Sequence, residues 1–197
     1  MPTLGVSIAV FRGNQILLVK REDFPVWALP GGAVENRESV AQAAIRETQE
    51  ETGLDVELAR LVGVYSRPDW PIGDGSGSHS ILFTATVIGG SLSPQPEEVL
   101  EVDFFDVMQL PTPILWWHRQ PIADAAAGVG GAVAWSQQVD LPFPHTARHI
   151  SRQGLYALRD QGKLPAAQIL AEWGGEPTSK NQVQEVGPGF IGEFPRG

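Results

Sequence analysis

Over residues 3–11 apolar positions alternate with small or polar ones, the period of a half-buried strand. Arg12-Gly13-Asn14 supplies turn chemistry and Gln15-Ile16-Leu17-Leu18-Val19-Lys20 reads as a second strand, so the two predict a hairpin. Prolines and glycines between Phe24 and Gly32 then forbid regular helix. From Glu38 to Thr52 the period becomes helical, with Val40, Ala44 and Thr48 facing inward, Ala41 and Ile45 beside them, and Gly53 as the stop. Further strands are predicted over 55–65, 80–88 and 102–107, and the Pro- and Gly-rich stretch 66–77 reads as an irregular, exposed loop.

Beyond Pro111 the pattern turns helical: one helix over 113–127 before Gly128, another around 146–161 before Gly162, and a short third over 165–173. Residues 176–197, polar and rich in Gly and Pro, predict an extended or mobile tail. The expected layout is a core over 1–111, C-terminal helices over 112–175 packing on the core or on a partner subunit, and the tail. Leu155, Leu158 and Ile169 are the residues expected to dock, and a homodimer is one arrangement they would serve.

Composition removes several classes. With mean hydropathy −0.09 there is no apolar run near the roughly 18 residues that a spanning helix needs. The N-terminus lacks the basic segment and cleavage site of an export signal, and the absence of Cys removes disulfides, thiolate metal sites and a thiol nucleophile. A cytoplasmic location is therefore expected. The net charge of −9 argues against nucleic acid or an anionic membrane as partner, and it is concentrated. Residues 32–54 carry a local −3 and residues 93–106 a local −5, while 112–197 hold seven bases and seven acids.

Within the first patch Glu47, Glu50 and Glu51 stand at i, i+3 and i+4 of the predicted helix, on one face. Like charges this close either point into water or share a cation. A hard ion such as Mg²⁺ or Mn²⁺, which prefers oxygen ligands and retains waters beside substrate phosphates, is the fitting one.

The surrounding spacing is specific. Gly32, five residues, Glu38, seven residues, then Arg46-Glu47-Thr48-Gln49-Glu50-Glu51-Thr52-Gly53-Leu54 resembles the signature of the Nudix hydrolase family. The one departure is Thr48, where the family usually has a bulkier aliphatic residue. The resemblance implies an α/β fold, an α/β/α sandwich around a mixed sheet, here with a helical C-terminal extension. It also implies hydrolysis of a diphosphate that links a nucleoside to another moiety. Carried over, Glu47, Glu50 and Glu51 are the expected metal ligands, Arg46 orients the carboxylates, Gly32 permits the close turn and Glu38 supports from behind. Metal ions would neutralise the phosphates and acidify bound water, and a carboxylate would take its proton. Glu50, Glu98 and Glu101 are the candidates for that base.

Tyr65 to Asp69, His79, Gly89-Gly90, Glu98 to Phe105 and Leu110-Pro111 look like the ADP-ribose pyrophosphatase-like branch. The implied substrate is ADP-ribose or a related nucleotide sugar. A nucleoside-triphosphate pyrophosphohydrolase is the alternative within the family, and a non-catalytic ligand sensor the alternative outside enzymes. Trp27, Tyr65 and Trp70 could stack on a base, and Arg67 and His79 could meet phosphate, against the competing readings of sheet packing and a solvated loop.

Overall fold

The computed structural model describes residues 3–70, 76–130, 133–137, 152–163, 166–175 and 182–186. Strands β1 (Thr3–Arg12), β2 (Gln15–Arg21), β3 (Trp27–Ala28), β4 (Leu54–Arg67), β5 (Ser78–Gly90), β6 (Val99–Asp106), β7 (Val133–Gln137) and β8 (Gln182–Val186) form one sheet. Its order is β3-β2-β1-β5-β4-β7-β8, with β6 on β2. Pairing of β1 with β5 and of β4 with β7 is parallel and the rest is antiparallel, so the sheet is mixed. Helices α1 (Val40–Thr52), α2 (Trp116–Ala126), α3 (Arg152–Asp160) and α4 (Ala166–Trp173) complete the described elements.

The alternation of β1 explains the layers. Val6, Ile8 and Val10 pack with Ala43 and Ala44 of α1, whereas Ala9 joins Leu82, Val62 and Ile122 on the α2 side. Leu17 and its neighbours Ile16 and Leu18 divide between the same two faces. Helices therefore cover both faces of the sheet, which is the expected α/β/α sandwich.

The predicted hairpin exists only at its tip. β1 pairs with β2 at Phe11 with Ile16 and Arg12 with Gln15, and the strands then diverge. Into the opening comes the chain between Pro30 and Val34: Ile8 N–H donates to the Pro30 carbonyl at 2.9 Å, Val6 N–H to Gly32 at 2.9 Å, and Val34 N–H to Leu4 at 2.9 Å. The edge of β1 is thus satisfied by irregular backbone.

α1 begins at a capping box in which the Ser39 hydroxyl accepts from Gln42 N–H and the Gln42 side chain accepts from Ser39 N–H. Gly53, at φ 74°, closes it and donates to the Gln49 carbonyl. Its buried face differs from the prediction: Ile45 is 42% exposed and Ala43 takes its place, because Ala43, Ala44, Glu47, Thr48 and Glu51 form the inward stripe.

Three other expectations need correction. Ser66 and Arg67 belong to β4, not to an exposed loop, and Arg67 is buried; residues 71–75 of that stretch lie outside the described residues. The helix expected from 113 starts at Trp116, because Trp27 N–H donates to the Pro113 carbonyl and Leu115 N–H to that of Trp27, which holds 113–115 extended beside β3. Ile114, Trp116, Trp117 and Ile122 lie in the hydrophobic clusters. The region expected to hold only helices and a tail also supplies β7 and β8; of the predicted second helix, residues 146–151 lie outside the described residues, as do 187–197 of the tail. Leu155, Ile169 and Trp173 pack with Phe24, Val26 and Val99, so α3 and α4 rest on this chain's own core.

Candidate active site

Four groups converge where the loop at Gly31-Gly32 meets the C-terminal half of α1. Arg46 is the hub. Its Nε and Nη2 reach both oxygens of Glu38 at 2.8 and 2.9 Å, while Nη1 bonds Glu47 Oε1 and Glu50 Oε2, each at 2.9 Å. Nη2 also donates to the Ala33 carbonyl at 3.2 Å, so helix and loop are fastened by one planar guanidinium. Glu51 Oε2 accepts from Gly31 N–H at 2.9 Å. Thr48 needs no partner outside the helix: fully buried, its hydroxyl donates to the Ala44 carbonyl at 2.8 Å, which accommodates the departure from an aliphatic residue.

Two glycines permit the approach. A side chain on Gly31, at φ 149°, would collide with the Val6 carbonyl and the Ser7 backbone, and one on Gly32 would collide with the Glu47 carboxylate.

Electrostatics separate the acids. Hydrogen bonding from Arg46 holds Glu38 down at about 2. Burial pushes Glu51 up to about 8, against the Gly31 hydrogen bond and with help from the charges of Glu47 and Glu98. Glu47 is raised by the same burial despite Arg46. Among the described residues no three acids or histidines are gathered closely enough to clasp a metal ion as they stand, since Arg46 and the Gly31 amide hold the carboxylates. The donor chemistry nevertheless fits a hard divalent cation: mutually repelling carboxylates, two of them buried and raised, around a polar cleft.

That cleft, about 360 Å³, is bordered by Arg46, Glu47, Glu50, Glu51 and Glu98, and by Tyr156 of α3. Sharing Arg21, Asp23, Leu29 and Gly31 to Ala33, a second cavity of about 200 Å³ adjoins it; Arg67, Trp70, Ser78, Ser80, Trp117, His118 and Trp173 are among its walls.

The expected residues divide accordingly. Glu47, Glu50, Glu51, Arg46, Gly32 and Glu98 meet at the first cleft, and Arg67 and Trp70 at the second. Glu101 does not belong: within β6 it pairs with Lys20 at 2.7 Å. His79 lines neither cavity, because alternation along β5 turns Ser78 and Ser80 toward the second while His79 Nδ1 lies 2.9 Å from Ser66 Oγ. Trp27 is a core residue packed edge-on against Phe105 at 4.6 Å, and Tyr65 is buried with its hydroxyl donating to Asp124 at 2.7 Å. The histidine at the site is His118, which accepts the Leu29 N–H through Nδ1 at 2.9 Å; enclosure, then Arg67 and Arg21, push it down to about 3. The sequence pattern places Trp116-Trp117-His118-Arg119 against the sheet, whereas Trp117 and His118 border the second cavity; Tyr156 and Trp173 carry no sequence signal of their place at the site.

A mixed sheet between helices thus brings the Gly31-Gly32 loop and three carboxylates of α1 to one polar cleft. The model of the NUDIX domain matches residues 1–125, and the chain belongs to the Nudix hydrolase family, enzymes that cleave diphosphate anhydrides. It is 43% identical over 127 residues to an ADP-ribose pyrophosphatase of Methanocaldococcus jannaschii, covering 62% of this chain and 72% of that one. Identity is 38% over 129 residues to a putative 8-oxo-dGTP diphosphatase of Bacillus subtilis, with 65% and 83% covered. Among solved structures, an ADP-ribose pyrophosphatase from Streptococcus suis superposes with a TM-score of 0.55 at 28% identity, over 65% of this chain and 92% of that one. Nudix hydrolases generally use divalent metals. No helix among the described residues is long and apolar enough to cross a membrane.

Proposed function

We propose that this enzyme hydrolyses the diphosphate of a nucleoside diphosphate linked to a sugar, with ADP-ribose as the substrate. The similarity to the M. jannaschii ADP-ribose pyrophosphatase carries this reading. The adjoining cavity supports it, since it offers room for a moiety beyond the diphosphate.

Glu47, Glu50 and Glu51 would hold Mg²⁺, or Mn²⁺, which when bound neutralises phosphate charge and makes water acidic. Arg46 ties Glu47 and Glu50 to each other, to Glu38 and to the loop, while Glu51 is held by the Gly31 amide, which orients all three carboxylates at the cleft. Gly31 and Gly32 let backbone approach where a Cβ would block it. Glu98, whose carboxylate carries no hydrogen bond or ion pair among the described residues, is the base that accepts the proton of the attacking water. The deciding assay incubates the enzyme with Mg²⁺ and ADP-ribose, sugar nucleotides, NADH or (d)NTPs, and reads AMP, phosphate and pyrophosphate separately. AMP from ADP-ribose at the highest kcat/KM is the expected outcome. The similarity to the putative 8-oxo-dGTP diphosphatase favours a second reading, and pyrophosphate released from (d)NTPs alone would establish it over the first.

A further inference from the structure

The 200 Å³ cavity beside the carboxylates is smaller than the roughly 300–1,000 Å³ that drug-sized ligands occupy, so it suits a sugar-sized fragment and not a whole nucleoside. Its lining carries several side-chain donors, and the Asp23 carboxylate beside them is already engaged by Arg21 and by Phe24 N–H. Trp173 is 3% exposed and borders the cavity, and its enclosed Nε1–H has no hydrogen-bond partner among the described residues. Because His118 Nδ1 accepts from Leu29 and the ring is held neutral, the ring proton resides on Nε2, which makes that atom a donor as well. Arg67 adds a guanidinium, and Ser78 and Ser80 add hydroxyls.

A buried donor left unmet costs free energy that a ligand acceptor recovers. Base stacking does not suit the site. Trp117 meets Trp70 and Trp173 edge to face, at 5.6 and 5.5 Å, so these rings spend their faces on one another. We propose that this cavity binds the hydroxylated sugar on the far side of the diphosphate, with the Trp173 indole N–H donating to one of its oxygens. The inference rests on the reading of the chain as a sugar-linked diphosphate hydrolase and deepens it. Trp173 belongs to α4, beyond residues 1–125 that the family model matches, so discrimination of the distal moiety comes from the C-terminal extension.

Trp173→Phe keeps an aromatic ring in the cluster and removes the donor. Two readouts test it: the ratio of kcat/KM for ADP-ribose to that for the methyl ester of ADP, which lacks the distal sugar, and saturation-transfer NMR with ribose 5-phosphate. The expected result is a roughly fivefold to tenfold fall in the ratio, mostly through KM, the effect of one lost neutral hydrogen bond, together with weakened ribose 5-phosphate contact. Arg67→Lys serves as the second variant should Trp173→Phe fail to fold, with the same fall expected. An unchanged ratio, or equal losses on both substrates, overturns the inference. Wild-type enzyme that binds ribose 5-phosphate through Trp173 yet leaves ADP-ribose uncleaved overturns the functional reading and retains the subsite. Wild-type enzyme that does neither overturns both.

Discussion

Arg46 grips Glu38 with two parallel hydrogen bonds of 2.8 and 2.9 Å while its remaining amino group holds Glu47 and Glu50. One planar cation therefore sets the distance between a supporting acid and two expected ligands. Lysine preserves the charge without the fork. Arg46→Lys should lower kcat/KM by about 10- to 100-fold, the usual cost of losing a partner that orients metal ligands. Mg²⁺ titration of the rate checks this, since the variant should need more metal.

Glu50→Gln and Glu51→Gln should each reduce turnover by about 10²-fold or more, and chelation should abolish it. Two nearby acids separate base from bystander. Glu98→Gln should cost about 10²- to 10⁴-fold in kcat, whereas Glu101→Gln, which breaks only an exposed pair with Lys20, should stay near wild type. Steady-state kinetics on the preferred substrate decides between them.

Adjacent glycines should respond differently. Gly31→Ala drives a Cβ into backbone at a φ that L-residues rarely adopt, and should cost about 1–3 kcal/mol of stability, read by thermal melting. Gly32→Ala meets only the end of the Glu47 side chain, so the fold should melt nearly as wild type while activity falls with the displaced carboxylate.

The acidity of the site gives opposite pH trends. Glu51 titrates near 8 in the fold against 4.5 for an ordinary Glu, so between those values the native state holds the extra proton. Without metal, stability should fall as pH rises from about 4.5 to 8 on this account. Divalent cations favour the ionised form, so the Mg²⁺-induced rise in melting temperature should be larger at pH 8.5 than at pH 6. His118, near 3 in the fold against 6.5, acts in reverse: the unfolded chain takes the extra proton, and stability drops as pH falls from about 6.5 toward 3. Melting curves of Glu51→Gln and His118→Gln should each lose the corresponding slope.

The helix was legible because its signals are local: Ser39 and Gln42 cap it, Gly53 ends it, and the spacing of Glu47, Glu50 and Glu51 sets their face. Glu38 and Arg46 were legible through the signature, eight residues apart and joined through a loop and one helix. Long-range packing was not. His79 and His118 are equally polar in sequence, and only strand alternation and the docking of α2 decide which one meets the cavity. β8 was hidden because a short polar strand has no apolar period, and its place comes from pairing with β7. Trp27 illustrates the converse: an aromatic beside a Gly-loop suggests a ligand platform, yet burial against Phe105 claims it for the core.

The divergence of β1 from β2 leaves a row of main-chain donors and acceptors that Pro30, Gly32 and Val34 complete. The loop that presents an amide to Glu51 is, in hydrogen-bonding terms, a strand without the geometry of one. Its motion is thereby coupled to the ladder between β1 and β5, and it cannot swing as a lid without first exposing the amides of Val6 and Ile8. Those two amides should exchange with solvent deuterium as slowly as the middle of the sheet, so the floor of the site stays in place while substrate enters.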